Sequence, residues 1–330
     1  MDRLLDSEEI EKEDNSLELR PQNLDEYIGQ SEVKENLKIF IQAAKKRQEV
    51  LDHILFYGPP GLGKTTLSHI IANEMEVGIK ITNGPSLEKP GDLASILTVL
   101  NPGDILFIDE IHRMPKIVEE VLYSAMEDYK IDIIIGKDGN TKTLNLDIVP
   151  FTLIGATTRP GDLTNPLRDR FGIDCRLEYY TLTEITQIIQ RTASVFNEKI
   201  DTDAAQKLGL CARSTPRIAN RLFKRIRDFA QILNDSKIDL PIVEESLKRL
   251  NVDQEGLDKI DHKILNAIID KFSGGPVGIE ALAATIGEDV ANIEEVYESY
   301  LLQKGFLKRT PRGRIATQKA YNHLGKEISN

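Results

Sequence analysis

Gly58-Pro59-Pro60-Gly61-Leu62-Gly63-Lys64-Thr65-Thr66 decides the fold, because it fits the phosphate-binding pattern G-x-x-x-x-G-K-[ST]. The chemistry needs that spacing. Gly58, Gly61 and Gly63 let the backbone turn so that successive N–H groups point inward at phosphate oxygens. Lys64 then reaches the outer phosphates of a nucleoside triphosphate, the Thr65 hydroxyl ligates Mg²⁺, and Thr66 follows on the same turn. The flanks agree: Ile54-Leu55-Phe56-Tyr57 is a short apolar run of buried-strand type, and Thr65–Met75 has helical character, with an N-terminus that favours anions. ATP and Mg²⁺ are therefore the expected ligands.

A second strand completes that chemistry. Ile105-Leu106-Phe107-Ile108-Asp109-Glu110 is an apolar run ending in two carboxylates, and Asp109 lies 45 residues beyond Lys64. An apolar strand ending in Asp-Glu is common by itself; downstream of a P-loop it reads as a Walker B motif. Asp109 is placed to hold Mg²⁺ and Glu110 to orient or deprotonate the water that attacks the γ-phosphate. Phe151–Ala156 is another buried strand, followed by Thr157-Thr158-Arg159. A hydroxyl there would lie beside Walker B and sense the γ-phosphate. Thr158 is the choice and Thr157 the close alternative. Arg168 and Arg170, in Leu167-Arg168-Asp169-Arg170-Phe171-Gly172, fall near a domain edge, and taken alone would read as surface charges paired with local acids.

Composition sets the class. The chain has 330 residues, 40% hydrophobic and 29% charged, which allows two or three domains with substantial cores. No apolar run approaches the length of a membrane span and no basic-then-apolar leader opens the chain, so a cytoplasmic protein is expected, with no membrane partner. Cys175 and Cys211 are single and widely spaced, and read as buried thiols of a reducing compartment. The net charge of −11 argues against nucleic acid until its distribution is considered. Residues 1–32 carry 3 basic and 11 acidic groups, whereas residues 301–330 carry 7 basic and 1 acidic. A basic tail domain on an acidic protein restores DNA as a partner.

Along the rest of the chain, the acidic leader 1–16 is expected to be mobile. Leu19–Gln30 is by composition only an extended segment before a helix at Glu32–Gln48. Strand Ile79–Thr82 and helix Asp92–Leu100 precede Walker B, and an amphipathic helix Pro115–Asp128 follows it. The 131–149 segment, turning at Lys137-Asp138-Gly139-Asn140, reads as a β-hairpin. It is either an edge hairpin of its own domain or a protein-docking surface. Residues 181–250 switch to helical period: Leu182–Phe196, Thr202–Ala212, Pro216–Ile232 and Leu240–Leu250. Thr215 can cap the third, with Pro216 at its first position. Arg217 then opposes the helix dipole in the first turn, which adds weight to a ligand role beside that of a surface arginine. Beyond Asp258, helices Asp261–Phe272, Gly278–Ile286 and Asp289–Lys304, then a hairpin through Thr310-Pro311-Arg312-Gly313, read as a winged helix. Arg309, Arg312 and Arg314 are placed on its wing. Such a wing suits DNA phosphates, and an acidic protein partner is the alternative.

P-loop, Walker B, sensor strand, Arg-Asp-Arg-Phe-Gly box and helical lid together resemble the AAA+ ATPases. Leu19–Gln30, Gly58–Leu67, Phe107–Arg113, Gly155–Gly161, Gly274–Gly278 and Arg309–Arg314 more closely resemble the RuvB family, motors of bacterial Holliday-junction branch migration. The resemblance runs from about residue 17 to 325. It implies an α/β P-loop NTPase (AAA+) large domain over 1–180, an all-α lid over 181–252 and a C-terminal winged-helix domain over 253–330. It further implies a ring, expected to be a hexamer, that hydrolyses ATP to pull duplex DNA. Leu19, Arg20 and Tyr180 would line the nucleotide pocket, and Glu127, Asp128 and Tyr129 would also touch nucleotide. Arg170 would be an arginine finger reaching into the neighbouring subunit, and Arg217 the lid's sensor arginine. The 131–149 hairpin would dock RuvA, the junction-binding partner, with RuvC joining the resolving complex; Arg309 and Arg314 would touch DNA phosphates. A clamp-loader subunit is the nearest rival, but that group carries a Ser-Arg-Cys finger motif and a helical C-terminal collar. A nucleotide-switched DNA regulator with little turnover is the rival of another class, which an intact Glu110 argues against.

Overall fold

Near-continuous runs of Ile, Leu and Phe can sit in a sheet only if both faces are covered, which is the condition of a parallel sheet flanked by helices. The chain meets that condition in a computed structural model that describes residues 19–135 and 142–327. The acidic leader 1–16 and the hairpin tip at 137–140 lie outside the described residues. The chain divides into two compact units, Arg20–Tyr179 and a second formed by Leu19 with Tyr180 onward.

In the first unit, among the described residues, five strands form one parallel sheet in the order β2-β3-β6-β1-β7. They are β1 (Ile54–Tyr57), β2 (Ile79–Asn83), β3 (Ile105–Asp109), β6 (Thr152–Thr157) and β7 (Ile173–Arg176). The central strands are sealed: Ile54, Leu55 and Phe56 of β1 and Leu106, Phe107 and Ile108 of β3 have no exposed surface. The two edges look different. Ile81 in β2 is half exposed beside Lys80, and β7 alternates buried with exposed, as strands with one open side do. β7 carries only two inward residues, Ile173 and Cys175, so its apolar signal was too short to be read from sequence.

β4 (Lys130–Ile135) and β5 (Lys142–Asp147) pair antiparallel as a separate two-stranded sheet, with Lys130 opposite Asp147. The hairpin is not an edge of the main sheet. Ile131 is buried in the large hydrophobic core, with Leu146, Ile148 and Val149 packed against it, so the base of the hairpin is anchored there.

The second unit starts with helices Leu182–Val195, Thr202–Cys211, Pro216–Leu233 and Leu240–Arg249, each within a residue or two of expectation. Thr181 and Glu184 form a reciprocal capping box at the first of these. Thr215 does not cap the third. Its hydroxyl donates instead to the Ala212 carbonyl at 3.4 Å, and the proline at the first position has no N–H that needs a partner. The winged helix follows in the same unit. Helix Lys259–Asn266 continues as a π-helix to Lys271, and helix Ile279–Ile286 comes next. A third helix runs from Val290 through a π-helical stretch, Ile293–Glu298, to Gln303. β8 (Leu307–Thr310) and β9 (Gly313–Ala316) form the wing, and a short helix, Gln318–His323, closes the described chain. Tyr297, Leu301 and Phe306 have no exposed surface and form the core of this part.

Candidate nucleotide and DNA sites

The P-loop owes its path to three glycines at positive φ: Gly58 at 141°, Gly61 at 77° and Gly63 at 99°. A side chain at Gly58 would place its Cβ 2.5 Å from the Leu177 carbonyl oxygen, and one at Gly63 would stand 2.6 Å from the Tyr27 hydroxyl. That hydroxyl donates to the Leu62 carbonyl at 3.2 Å and pins the loop from below. Lys64 opens the helix Lys64–Met75 and is almost fully buried. Its Nζ donates to the carbonyls of Gly58 and Pro59 at 2.8 and 2.9 Å, so the ammonium folds over the loop where phosphate oxygens would compete for it. Thr65 and Thr66 are half-buried in the first turn. A glycine-lined turn, an ammonium and a helix N-terminus form a donor set suited to a triphosphate.

Sheet order brings the other loops beside it. β6 lies between β1 and β3, and Gly58 N–H donates to the Thr157 carbonyl at 3.2 Å. The Asp109 carboxylate ends β3 and accepts the Glu110 N–H at 2.9 Å. Glu110 sits at a φ of 46°, a left-handed conformation that turns its carboxylate toward β6. There its Oε2 accepts from the Thr158 hydroxyl at 3.3 Å. Thr157 points the other way: its fully buried hydroxyl is 2.9 Å from His112 Nδ1 and accepts the Arg159 N–H at 3.0 Å. Of the two threonines, Thr158 is thus the one against Glu110.

His112 was not anticipated. Its Nδ1, 2.9 Å from the Thr157 hydroxyl, is also 3.3 Å from Glu110 Oε2, so the imidazole stands between Thr157 and the carboxylate. Burial holds this imidazole below its ordinary value, so it is neutral at pH 7. Its sequence signal was slight: a histidine two residues past Glu110, on the tight turn Ile111–Arg113.

Arg170 and Glu127–Tyr129 lie elsewhere. The helix Lys116–Asp128 starts near the end of β3 and runs back along the sheet, so that the Met126 carbonyl meets His53, just before β1. Arg170 comes just before β7, whose Ile173 pairs with Ile54, the first residue of β1. These residues occupy the edge where the parallel strands begin; the P-loop, Asp109, Glu110 and Thr158 occupy the edge where they end. The strands alone separate the two by about 13 Å. Arg170 donates to Glu127 Oε2 and to the Pro166 carbonyl, both at 2.8 Å, and its guanidinium lies 4.9 Å from the Tyr123 ring centre. Its Nε is buried without a hydrogen-bond partner. Asp128 is exposed, and Tyr129 packs edge-on against Phe151. Within one chain, then, these residues do not join the P-loop cluster.

Arg20, in the first unit, is half-buried and within electrostatic range of His69 on the P-loop helix. Leu19, Tyr180 and Arg217 belong to the second unit. The Leu19 carbonyl accepts from Arg191 at 2.7 Å, Tyr180 is buried with its N–H on the Ser214 carbonyl, and Arg217 is the second residue of the helix Pro216–Leu233.

The wing arginines divide. Arg309 and Arg312 are exposed, with Arg309 3.7 Å from Glu294. Arg314 is not presented with them. Its side chain is 7% exposed and clasps Glu298 through two bonds of 2.9 and 2.8 Å, with a third to Glu294 at 3.0 Å. Arg314 instead ties the wing to the third helix, while Arg309 and Arg312 stand exposed. The cause is local, since β9 alternates and Arg314 shares its inward face with Ala316.

The comparisons agree across all three segments. Residues 19–177 match the family model described as the Holliday junction DNA helicase RuvB P-loop domain, residues 180–253 the RuvB AAA lid domain, and residues 254–325 the RuvB C-terminal winged helix domain. The chain is similar to the Thermotoga maritima RuvB Holliday junction branch migration motor at 53% identity, covering 94% of this chain and 100% of that one, with a TM-score of 0.87. It is similar to the K64R mutant of that RuvB at 54% identity, covering 94% of this chain and 99% of that one, with a TM-score of 0.88. The R170A form matches at 53% identity over 94% and 99% of the two chains, with a TM-score of 0.86. Among the described residues, no helix is long and apolar enough to cross a membrane.

Proposed function

We propose that the working site of this chain is shared between subunits: the chain belongs to the RuvB family and is an ATP-hydrolysing motor of Holliday junction branch migration. The observation that carries the shared site is the separation of Arg170 from its own P-loop by the full length of the sheet.

The chemistry divides as follows. The P-loop N–H groups and Lys64 bind the phosphates of ATP. Thr65 and Asp109 would hold Mg²⁺, which when bound neutralises charge on the phosphate oxygens. Glu110 accepts a proton from the attacking water, held in line by Thr158 with His112 beside it. Arg170 leaves Glu127 and enters the neighbouring subunit's site, where its charge stabilises the transition state by about 10³–10⁵ in rate. Glu127, Asp128 and Tyr129 act from that same edge, on the neighbour's nucleotide. Leu19, Arg20 and Tyr180 flank the base, and Arg217 reports nucleotide state to the helical unit.

A site completed only by a neighbour makes hydrolysis depend on a ring, and a hexamer is the form we propose. The 131–149 hairpin docks RuvA, and RuvC joins at resolution. Arg309 and Arg312 contact DNA phosphates, which lets the motor pull duplex of any sequence. The test is ATP-dependent migration of a synthetic four-way junction, with and without RuvA. Strand separation that needs both ATP and RuvA is expected; hydrolysis without migration, RuvA being present, would move the reading to a loader-type ATPase.

A further inference from the structure

We propose that Asp253, His262 and His323 form a divalent-metal site, for zinc or a cation of similar preference, that clasps the end of the chain to the start of the winged helix. None of the three takes part in nucleotide or DNA chemistry as derived above. His262 Nε2 lies 2.9 Å and His323 Nε2 2.7 Å from the same atom, Asp253 Oδ2, and the three candidate ligand atoms lie within 4.8 Å of one another.

The arrangement is held from behind. Asp253 Oδ1 accepts the N–H groups of Glu255 and Leu257 at 2.8 and 3.0 Å, which fixes the carboxylate so that its other oxygen faces the imidazoles. The imidazoles stack 5.8 Å apart at 26°, and the edge of His323 rests on Phe306. The ligands come from three places: the segment before helix Lys259–Asn266, that helix itself, and the last residue of helix Gln318–His323.

Two imidazoles bonded to one carboxylate oxygen require an N–H from each, so two protons crowd a single acceptor. One cation takes the place of both N–H groups, each histidine then binding through Nε2 as the neutral tautomer with its single proton on Nδ1. Four-coordinate zinc, at about 2.0–2.2 Å from N and O ligands, needs ligand atoms about 3.3 Å apart, which modest side-chain rotations supply. The fourth position falls to water. A cleft of about 650 Å³, lined by Lys207, Glu244, Lys248, Asp253, Lys259 and His262, gives a route from solvent. Its lysines oppose a bare cation, so selection rests on ligand chemistry, and two imidazole nitrogens favour zinc over magnesium or calcium.

The test uses the full chain, without nucleotide, and zinc or cobalt as the probe. After dialysis against zinc, wild type should hold one more zinc per chain than either His262→Gln or His323→Gln, and both variants should keep wild-type ATPase activity. Cobalt should give wild type the strong visible absorption of a four-coordinate ion, lost in each variant and displaced by zinc. Equal zinc content in wild type and variants overturns the site. Should a variant fail to fold, the wild-type cobalt spectrum decides: weak six-coordinate absorption, as an oxygen-rich magnesium-type site would give, overturns it.

Discussion

At the scale of single residues, the wing shows what charge counting can and cannot reach. Arg309, Arg312 and Arg314 are equivalent as a basic cluster, yet two are exposed and one is clasped by Glu298 and Glu294. Glu298 is itself buried, so Arg314→Ala would strand a carboxylate and should cost about 3 kcal/mol. The expected outcome is a lower denaturant midpoint for the wing-bearing unit by near-ultraviolet circular dichroism; an unchanged midpoint would reopen a surface role. Arg312→Ala should leave stability within about 0.5 kcal/mol, while DNA affinity falls and the salt dependence of binding flattens by about one ion. The cluster beside the P-loop was more legible as a cluster. Lys64, Asp109 and Glu110 are fixed by spacing, because phosphate chemistry leaves few alternatives. His112 escaped notice because standing beside a carboxylate needs no motif. Glu110→Gln removes the proton acceptor but keeps the shape and the Thr158 contact, so ATP should bind with near-wild-type affinity while turnover falls at least a hundredfold, measured by filter binding and phosphate release. Rapid hydrolysis in that variant would point to another base.

At the scale of elements, periodicity carried most of the helices and the buried strands, and it failed where an element is short or takes its meaning from a partner. β7 is four residues long with two inward side chains, and Gln318–His323 is a single turn and a half. Neither holds enough repeats to stand out. The hairpin was legible as a hairpin, but not as a sheet separate from the main one, because strand pairing across long sequence distances leaves no local signal. The P-loop is the opposite case, an element whose backbone dictates its residues. Gly58 has a φ of 141° and no room for a Cβ beside the Leu177 carbonyl. Gly58→Ala must therefore push the loop away from the segment after β7 or rotate it out of its anion-binding path. The fold should survive, since the central strands are buried independently of the loop, but affinity for ATP should drop at least tenfold in a fluorescent-nucleotide titration, with stability lowered by about 1–3 kcal/mol. Unchanged affinity would mean that the loop reforms around the nucleotide from a different starting path.

At the scale of the whole molecule, the sheet acts as a spacer. Strands that run parallel put every loop after a strand on one edge and every loop before a strand on the other, and the chain divides its ATPase parts between the two. Glu110 and Thr158 stand with the P-loop, whereas Arg170 waits at the far edge on Glu127 and Tyr123. Sequence spacing could not have shown this, because it depends on β7 pairing with β1. If Arg170 acts at all, it acts on a neighbour. That yields a test which a finger acting within its own chain fails. Arg170→Ala and Lys64→Ala should each be inactive as uniform rings. Mixed in equal amounts, they form interfaces in which an intact P-loop on one subunit meets an intact Arg170 on the next. Random assembly places such a pair at about one interface in four, so steady-state phosphate release should recover toward a quarter of wild type if sites fire independently. Recovery well below that, but above zero, would mean that a complete site is slowed by the incomplete sites on either side of it. No recovery at any ratio would remove Arg170 from the shared site, and the salt bridge to Glu127 would then be its whole role.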